Sequence, residues 1–129
     1  ETISPDYVGK MVIESMWSVS QYAGDFNPFH IHEGQLSGVC YLRVPPSLPA
    51  EYAKEDHYPT VGDICWFNGQ AATFSGHKHQ ESPKVGDIFL FPNWLAHGVY
   101  PFRTPNEERR SVSFNLHLIK KDEPQPLDN

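Results

Sequence analysis

Residues 27–42, NPFHIHEGQLSGVCYL, decide the fold, because they join a pair of histidines to a run of strand-forming residues. His30 and His32 stand one residue apart, so in an extended segment both imidazoles point to the same side of the chain. Two imidazoles on one side can take neighbouring positions on a metal ion, and imidazole suits iron, zinc, copper and nickel alike. Alone, a His-x-His pair is a weak signal, since a catalytic metal site needs a further ligand.

His97 is the candidate for that further ligand, because it follows the strand-like segment GDIFLFP at 86–92. Three protein ligands on one side of a metal leave its other positions open, which is the catalytic pattern. The rival pair, His77 and His79, lies in a polar segment with a lysine between them, and we expect it to be exposed.

The rest of the chain predicts an all-β fold. Strand-like runs alternate with turn-forming residues, and no segment of useful length has a helical period. The predicted strands are 10–20, 36–44, 61–67, 85–91, 95–102 and 109–120. Residues 21–28 are expected to be a loop, 47–60 irregular, and 68–84 a loop or weak hairpin, while the tail 121–129 is expected to be disordered. This pattern indicates a sandwich, jelly roll or barrel in a single domain, residues 1–129.

Composition narrows the function classes. The chain of 129 residues has 10 basic and 16 acidic residues, and this net charge of -6 argues against nucleic acid as the main partner. No window of 18 consecutive apolar residues is present, so no membrane span is expected, and no signal peptide is visible. Cys40 and Cys65 lie in apolar runs, which predicts buried thiols in a reducing, cytoplasmic compartment.

The last predicted strand has two different faces. Arg109 and Ser111 share one face with Ser113, Asn115 and His117, whereas Arg110 shares the other with apolar residues. The polar face either meets solvent, as in an ordinary half-exposed strand, or points into a lumen where it suits an anion. In the second case Arg109 is the better anchor, since a guanidinium beside a hydroxyl matches a carboxylate. The apolar face suggests either a homodimer or cover by a further N-terminal segment.

In combination, these segments resemble a branch of the 2-oxoglutarate- and Fe(II)-dependent oxygenases that is distantly similar to prolyl hydroxylases. The resemblance runs over roughly residues 11–120, with its weakest part at 46–84. It rests on Trp17, NPxHxH at 27–32, LSGVxYLxVP at 36–45, GDIFLFPxWLxHxVxPF at 86–102 and ERxSVSFN at 108–115.

The resemblance implies a double-stranded β-helix, a cupin-like jelly roll, that binds Fe(II) and the co-substrate 2-oxoglutarate. It implies His30 and His97 as iron ligands, and Arg109 with Ser111 as the anchor of the far carboxylate. Tyr41 either supplies another hydroxyl there or is a core aromatic residue.

His32 is the departure from the family pattern, because Asp or Glu usually stands at its position. Either His30, His32 and His97 form a three-histidine site, or His32 is the first ligand and Gly34 leaves the carboxylate place empty. Glu33 is a third candidate, although from an extended strand it points away from His32.

The implied activity is hydroxylation of a small-molecule or peptidyl substrate with O₂, releasing succinate and CO₂. The alternatives are a cupin-like three-histidine metalloenzyme that does not use 2-oxoglutarate, and a non-catalytic barrel that binds a ligand. Fold-level similarity does not identify the substrate.

Overall fold

Eight strands form two antiparallel four-stranded sheets in the computed structural model, which describes residues 8–54, 57 and 59–121. The strands are β1 Val8–Gln21, β2 Asn27–His30, β3 Leu36–Arg43, β4 Ile64–Phe67, β5 Lys78–Glu81, β6 Ile88–Pro92, β7 Ala96–Val99 and β8 Arg109–Lys120. Their order is β1-β8-β3-β6 in the first sheet and β2-β7-β4-β5 in the second. This is a jelly roll, so the predicted all-β double-stranded β-helix is confirmed.

The predicted strands are present, and two further elements, β2 and a short helix, were not expected. β2 lies partly in the predicted loop, and β5 pairs with β4 as a hairpin, the second of the two expectations for 68–84. The short helix α1, Leu48–Tyr52, forms in the segment predicted to be irregular. Of the tail expected to be disordered, only Lys121 is among the described residues.

The core lies between the two sheets. Inward-facing residues of β3, β4, β6 and β7 pack together there because alternate side chains of a strand point to the same face. The main cluster consists of Val39, Tyr41, Ile64, Trp66, Phe91 and Val99.

Strand β1 changes phase at a bulge. Ile13 pairs with Leu116 and Ser15 pairs with Asn115, so Glu14 is an extra residue on β1. Beyond the bulge, Trp17, Val19 and Gln21 line the inner cavity. The bulge therefore lets apolar residues before it stay on the outer face while these three point inward.

Buried Asp63 fixes the second sheet at the start of β4. Its carboxylate accepts hydrogen bonds from Gln80 Nε2 and Ser82 Oγ, both at 2.5 Å, and its carbonyl accepts one from Tyr100 N at 2.9 Å. The preceding Gly62 has φ of +72°, and a Cβ there would lie 2.8 Å from the Leu48 side chain. Only glycine fits this turn. The Gly62 carbonyl accepts a hydrogen bond from Arg109, beside the cavity described below.

The outer face of the first sheet is apolar and exposed. Its most exposed side chains are Met11, Ile13, Met16, Leu42, Ile88 and Leu90. At the centre of this face Phe114 and Leu90 pack over Gly38, where a Cβ would lie 2.3 Å from the Phe114 ring. No helix among the described residues is long and apolar enough to cross a membrane.

Candidate metal centre

The three predicted histidines come together where β2 and β7 pair. His30 is the direct antiparallel partner of His97 in this ladder, so their side chains share a face. His32 lies just beyond β2 in a segment held to the β6–β7 turn. Its N–H donates to Asn93 O, and Asn93 Nδ2 donates to His32 O, each at 3.1 Å. One ring nitrogen of each of the three histidines lies within 4.8 Å of the others.

Hydrogen bonds to backbone carbonyls select the tautomers of two of these histidines. His30 Nδ1–H donates to Pro28 O at 2.6 Å, and His97 Nδ1–H donates to Leu95 O at 3.0 Å. Each Nε2 is then left with a free lone pair, the form that binds metal. In each case the accepting carbonyl belongs to the residue two positions before the histidine, so the local backbone conformation sets the tautomer.

The spacing of the His30 and His32 ring nitrogens fits two ligands of one metal ion. His30 Nε2 and His32 Nε2 are 3.1 Å apart. Two imidazole nitrogens bound at right angles to one ion, at a metal–nitrogen distance of about 2.1 Å, lie about 3.0 Å apart. Two lone pairs facing each other at this distance repel unless a cation or a proton lies between them. The donor set therefore fits an imidazole-binding metal, Fe(II) among them.

Burial keeps the histidines ready to bind a cation. The pKa of His97 is lowered to about 4, mainly by desolvation and also by nearby His30 and His32, while its hydrogen bond to Leu95 O acts in the opposite direction. Burial and the neighbouring His30 also lower the pKa of His32. Both rings are hence neutral at pH 7, so metal binding there need not first displace protons from them.

Aromatic rings enclose the centre. The Phe91 ring lies 4.5 Å from the His97 ring, and the Trp17 ring lies 5.7 Å from the His32 ring, measured between centroids. These rings limit the motion of the imidazoles and make the surroundings apolar on two sides.

A cavity of about 460 Å³ opens in front of the histidines. The residues that line it include Trp17, Gln21, Asp25, Phe26, Asn27, His30, His32, Tyr41, His97, Ser111, Ser113 and Asn115. Its size is in the range of small-molecule sites. The polar face of β8 thus points into the cavity from Ser111 to Asn115, which decides between the two alternatives for that face. His117, further along, is exposed.

The other end of the cavity is rich in hydrogen-bond donors. Tyr41, Ser111 and Gln21 line it, and Arg109 lies behind them with only 1% of its surface exposed. Burial raises the pKa of Tyr41 to about 12, so its hydroxyl stays protonated as a donor. Burial also lowers the pKa of Arg109, but a guanidinium keeps its charge at neutral pH. This end combines a buried cation with neutral donors and suits an anionic group.

A family model described as "Putative 2OG-Fe(II) oxygenase" matches residues 15–115. The chain belongs to this family. The matched range contains all three histidines, Tyr41, Arg109 and Ser111. No curated protein gives a significant match.

The oxygenase family implies Fe(II) and 2-oxoglutarate, and the three-histidine group is compatible with the metal. Among the open alternatives, Glu33 is exposed and outside the group, whereas His30 and His32 both belong to it. Gln21 is the site residue that the sequence did not reveal, because it ends β1 where a loop was expected. Its register partner is Arg109, so the pairing of the first and last strands is what brings it to the site.

The remaining histidines lie elsewhere. His79 is exposed on β5, where it pairs with Glu81 at 2.9 Å and packs against Trp66. His77 is half-buried beside Phe67. The expectation of exposure is therefore right for His79 but wrong for His77, which the β4–β5 hairpin brings against the Phe67 ring.

Proposed function

We propose that this chain is a dioxygenase that uses Fe(II) and 2-oxoglutarate to hydroxylate a small-molecule or peptidyl substrate. When bound, these two groups supply the oxidative chemistry: O₂ is consumed, 2-oxoglutarate gives succinate and CO₂, and the substrate gains a hydroxyl oxygen. One observation carries the proposal: in a member of this family, neutral imidazoles converge at a cavity whose other end holds a buried cation.

His30, His32 and His97 are the proposed iron ligands. Their ring nitrogens lie within 4.8 Å of one another, and those of His30 and His32 are 3.1 Å apart, as expected for two ligands of one ion. Hydrogen bonds to backbone carbonyls hold His30 and His97 in the required tautomer. A neutral third ligand leaves the metal with one more positive charge than a carboxylate would. We therefore expect tighter binding of the dianionic co-substrate than in a site with a carboxylate ligand.

Arg109, Ser111 and Tyr41 are the proposed anchor of the far carboxylate of 2-oxoglutarate. Ser111 and Tyr41 line the cavity, where their hydroxyls can donate hydrogen bonds to the carboxylate, and Arg109 supplies the positive charge behind them. Trp17 and Phe91 exclude water from the sides of the metal centre, which strengthens the electrostatic interactions inside it.

The decisive experiment is an anaerobic titration of Fe(II)-loaded protein with 2-oxoglutarate. We expect a weak metal-to-ligand charge-transfer band in the visible, together with binding heat by calorimetry. His97→Ala should abolish the band by weakening metal binding, while exposed His117→Gln serves as its matched control. Near-native iron affinity in His97→Ala would show that the ligands are misassigned.

The anchor is tested by two adjacent arginines. Arg109→Ala should weaken 2-oxoglutarate binding much more than Arg110→Ala, because Arg110 is exposed and pairs with Glu108. Equal effects of the two substitutions would contradict the assignment of the inward face.

A second candidate is a three-histidine metalloenzyme that does not use 2-oxoglutarate. The presence of His32, in place of the usual carboxylate, favours it, because three neutral histidines also serve other metal chemistry. Tight metal binding with no calorimetric response to 2-oxoglutarate would support this candidate over the first, and absence of metal binding would support a non-catalytic barrel.

A cytoplasmic location belongs to the same proposal. Cys40 and Cys65 are both free thiols, and Cys65 is fully buried. Free thiols suit a reducing compartment.

A further inference from the structure

The guanidinium of Arg109 is fully engaged by neutral acceptors. Its Nη1 donates to Gly62 O at 2.6 Å, its Nε and Nη2 donate to Gln21 Oε1 at 3.2 and 2.8 Å, and longer contacts of 3.4 Å reach Tyr100 O. Among the described residues, Asp63 and Asp25 act on it electrostatically, but these hydrogen bonds all go to neutral oxygens. Arg109 is therefore a buried cation whose fork is already occupied on the side of the cavity.

Gln21 is the residue that occupies this fork. Arginine has only donors, so the amide group of Gln21 must turn its oxygen toward Arg109. The amide nitrogen then points away from Arg109. This nitrogen has no partner among the described residues and is not enclosed by protein, although the residue as a whole is only 8% exposed.

The position of Gln21 makes it the group that an anion meets. Gln21 borders the cavity together with Tyr41 and Ser111, whereas Arg109 does not. A carboxylate entering this end can accept hydrogen bonds from the Gln21 amide and the two hydroxyls without displacing anything. To reach Arg109 directly, it would first have to break two hydrogen bonds and move the glutamine aside.

We propose that Gln21 contacts the far carboxylate of 2-oxoglutarate directly, and that Arg109 acts through it as a positioning residue. The inference rests on the proposed function and adds a determinant of specificity to it. Because Gln21 fills the space in front of Arg109, it limits the length of the dicarboxylic acid that can bind between the metal and this end.

The test compares Gln21→Ala and Gln21→Glu with the wild-type protein by anaerobic calorimetry, using Mn(II) as the metal. Titrants are 2-oxoglutarate and its longer homologue 2-oxoadipate. Gln70→Glu, on the exposed segment before β5, is the matched control for the change from amide to acid. Metal affinity without any diacid is measured for each variant and should stay within about 2-fold of wild type.

Gln21→Ala should bind 2-oxoglutarate roughly 10- to 100-fold more weakly, as expected for losing a hydrogen bond to a charged group. The same variant should shift its preference toward 2-oxoadipate, which can extend toward the uncovered Arg109. Gln21→Glu should lose binding of both acids, because its carboxylate pairs with Arg109 and repels the incoming anion. Circular dichroism checks that both variants are folded, and Gln70→Glu should bind as wild type does.

Binding of 2-oxoglutarate by Gln21→Ala that equals or exceeds that of wild type would overturn the inference, since Gln21 would then be a plug that the ligand displaces. Gln21→Glu binding at wild-type strength would overturn it as well. In both cases wild-type binding remains, so the proposed function stands. Absence of 2-oxoglutarate binding by wild type would instead overturn the proposed function and this inference together.

Discussion

The metal-free protein should lose stability as the pH falls from about 6.5 to 4, and His97 should account for most of this loss. His97 is 5% exposed, and its pKa in the folded protein is about 4 because burial and two neighbouring histidines disfavour its charged form. In the unfolded chain the same ring titrates at about 6.5. Between these values the unfolded state binds more protons, so the free energy of unfolding falls with decreasing pH.

The magnitude follows from the gap between the two pKa values. At about 1.4 kcal/mol per pKa unit, a gap from about 6.5 to about 4 corresponds to roughly 3 kcal/mol. His32 contributes in the same direction, because its pKa is also lowered. A typical domain has only about 5–15 kcal/mol of stability, so this loss is large enough to measure. Bound metal should oppose it, since metal at 100 times its dissociation constant adds about 2.7 kcal/mol.

The assay is urea unfolding of chelator-treated protein at half-unit steps from pH 7.5 to 4. Wild type is compared with His97→Gln, which cannot take up the proton, and with His117→Gln as the exposed control. The stability of His97→Gln should depend less steeply on pH below 6.5, while His117→Gln should follow wild type. Parallel curves for wild type and His97→Gln would refute the reasoning, because the buried imidazole would then not be the group that titrates.

Three further predictions concern packing and assembly. Gly38→Val should lower the free energy of unfolding by about 1–3 kcal/mol, because a Cβ at this position would lie 2.3 Å from Phe114 and 2.9 Å from Leu90. Gly76→Val is the control in urea unfolding, because no atom would lie within 4 Å of its Cβ. Asp63→Ala should lower the free energy of unfolding by about 2–4 kcal/mol, because it removes the acceptor of the Gln80 and Ser82 hydrogen bonds. Asp87 is only half-buried, so Asp87→Ala should lower it less in the same assay. The exposed outer face of the first sheet should support a homodimer whose interface buries about 800 Å² per partner, and Leu90→Lys should shift light scattering toward the monomer. A wild-type protein that is monomeric at high concentration would contradict the last prediction.

Strands with strong local patterns could be predicted from the sequence. Alternation from Arg109 to Lys120 gave the bounds of β8 and its inward face, and Pro45 marked the end of β3 to within one or two residues. Strand β2 was not predicted, and β5 only as part of a weak hairpin, because their sequences have few apolar residues and they form through pairing with β7 and β4. Their stability comes from partners that are distant in the sequence.

The candidate site shows the same division. The resemblance to the oxygenases pointed to His30, His97 and Arg109, and the geometry adds that all three histidines converge. Gln21 carries no motif, and its role depends on one register, in which β1 lies opposite Arg109 on β8. Information of this kind resides in strand pairing and cannot be obtained from residue types alone.

Strand β1 fixes the distance between the two ends of the cavity. Trp17 beside the metal centre and Gln21 at the far end are four residues apart on one continuous strand, roughly 13 Å of backbone, and the bulge at Glu14 lies outside this interval. Inserting one residue between them would turn one of the two side chains to the outer face, whereas inserting two would keep both inward and lengthen the interval by about 7 Å. For the proposed binding of 2-oxoglutarate between the metal and Gln21, the length of the acid that fits therefore changes in steps of two residues, and a redesign for longer acids must insert an even number of residues.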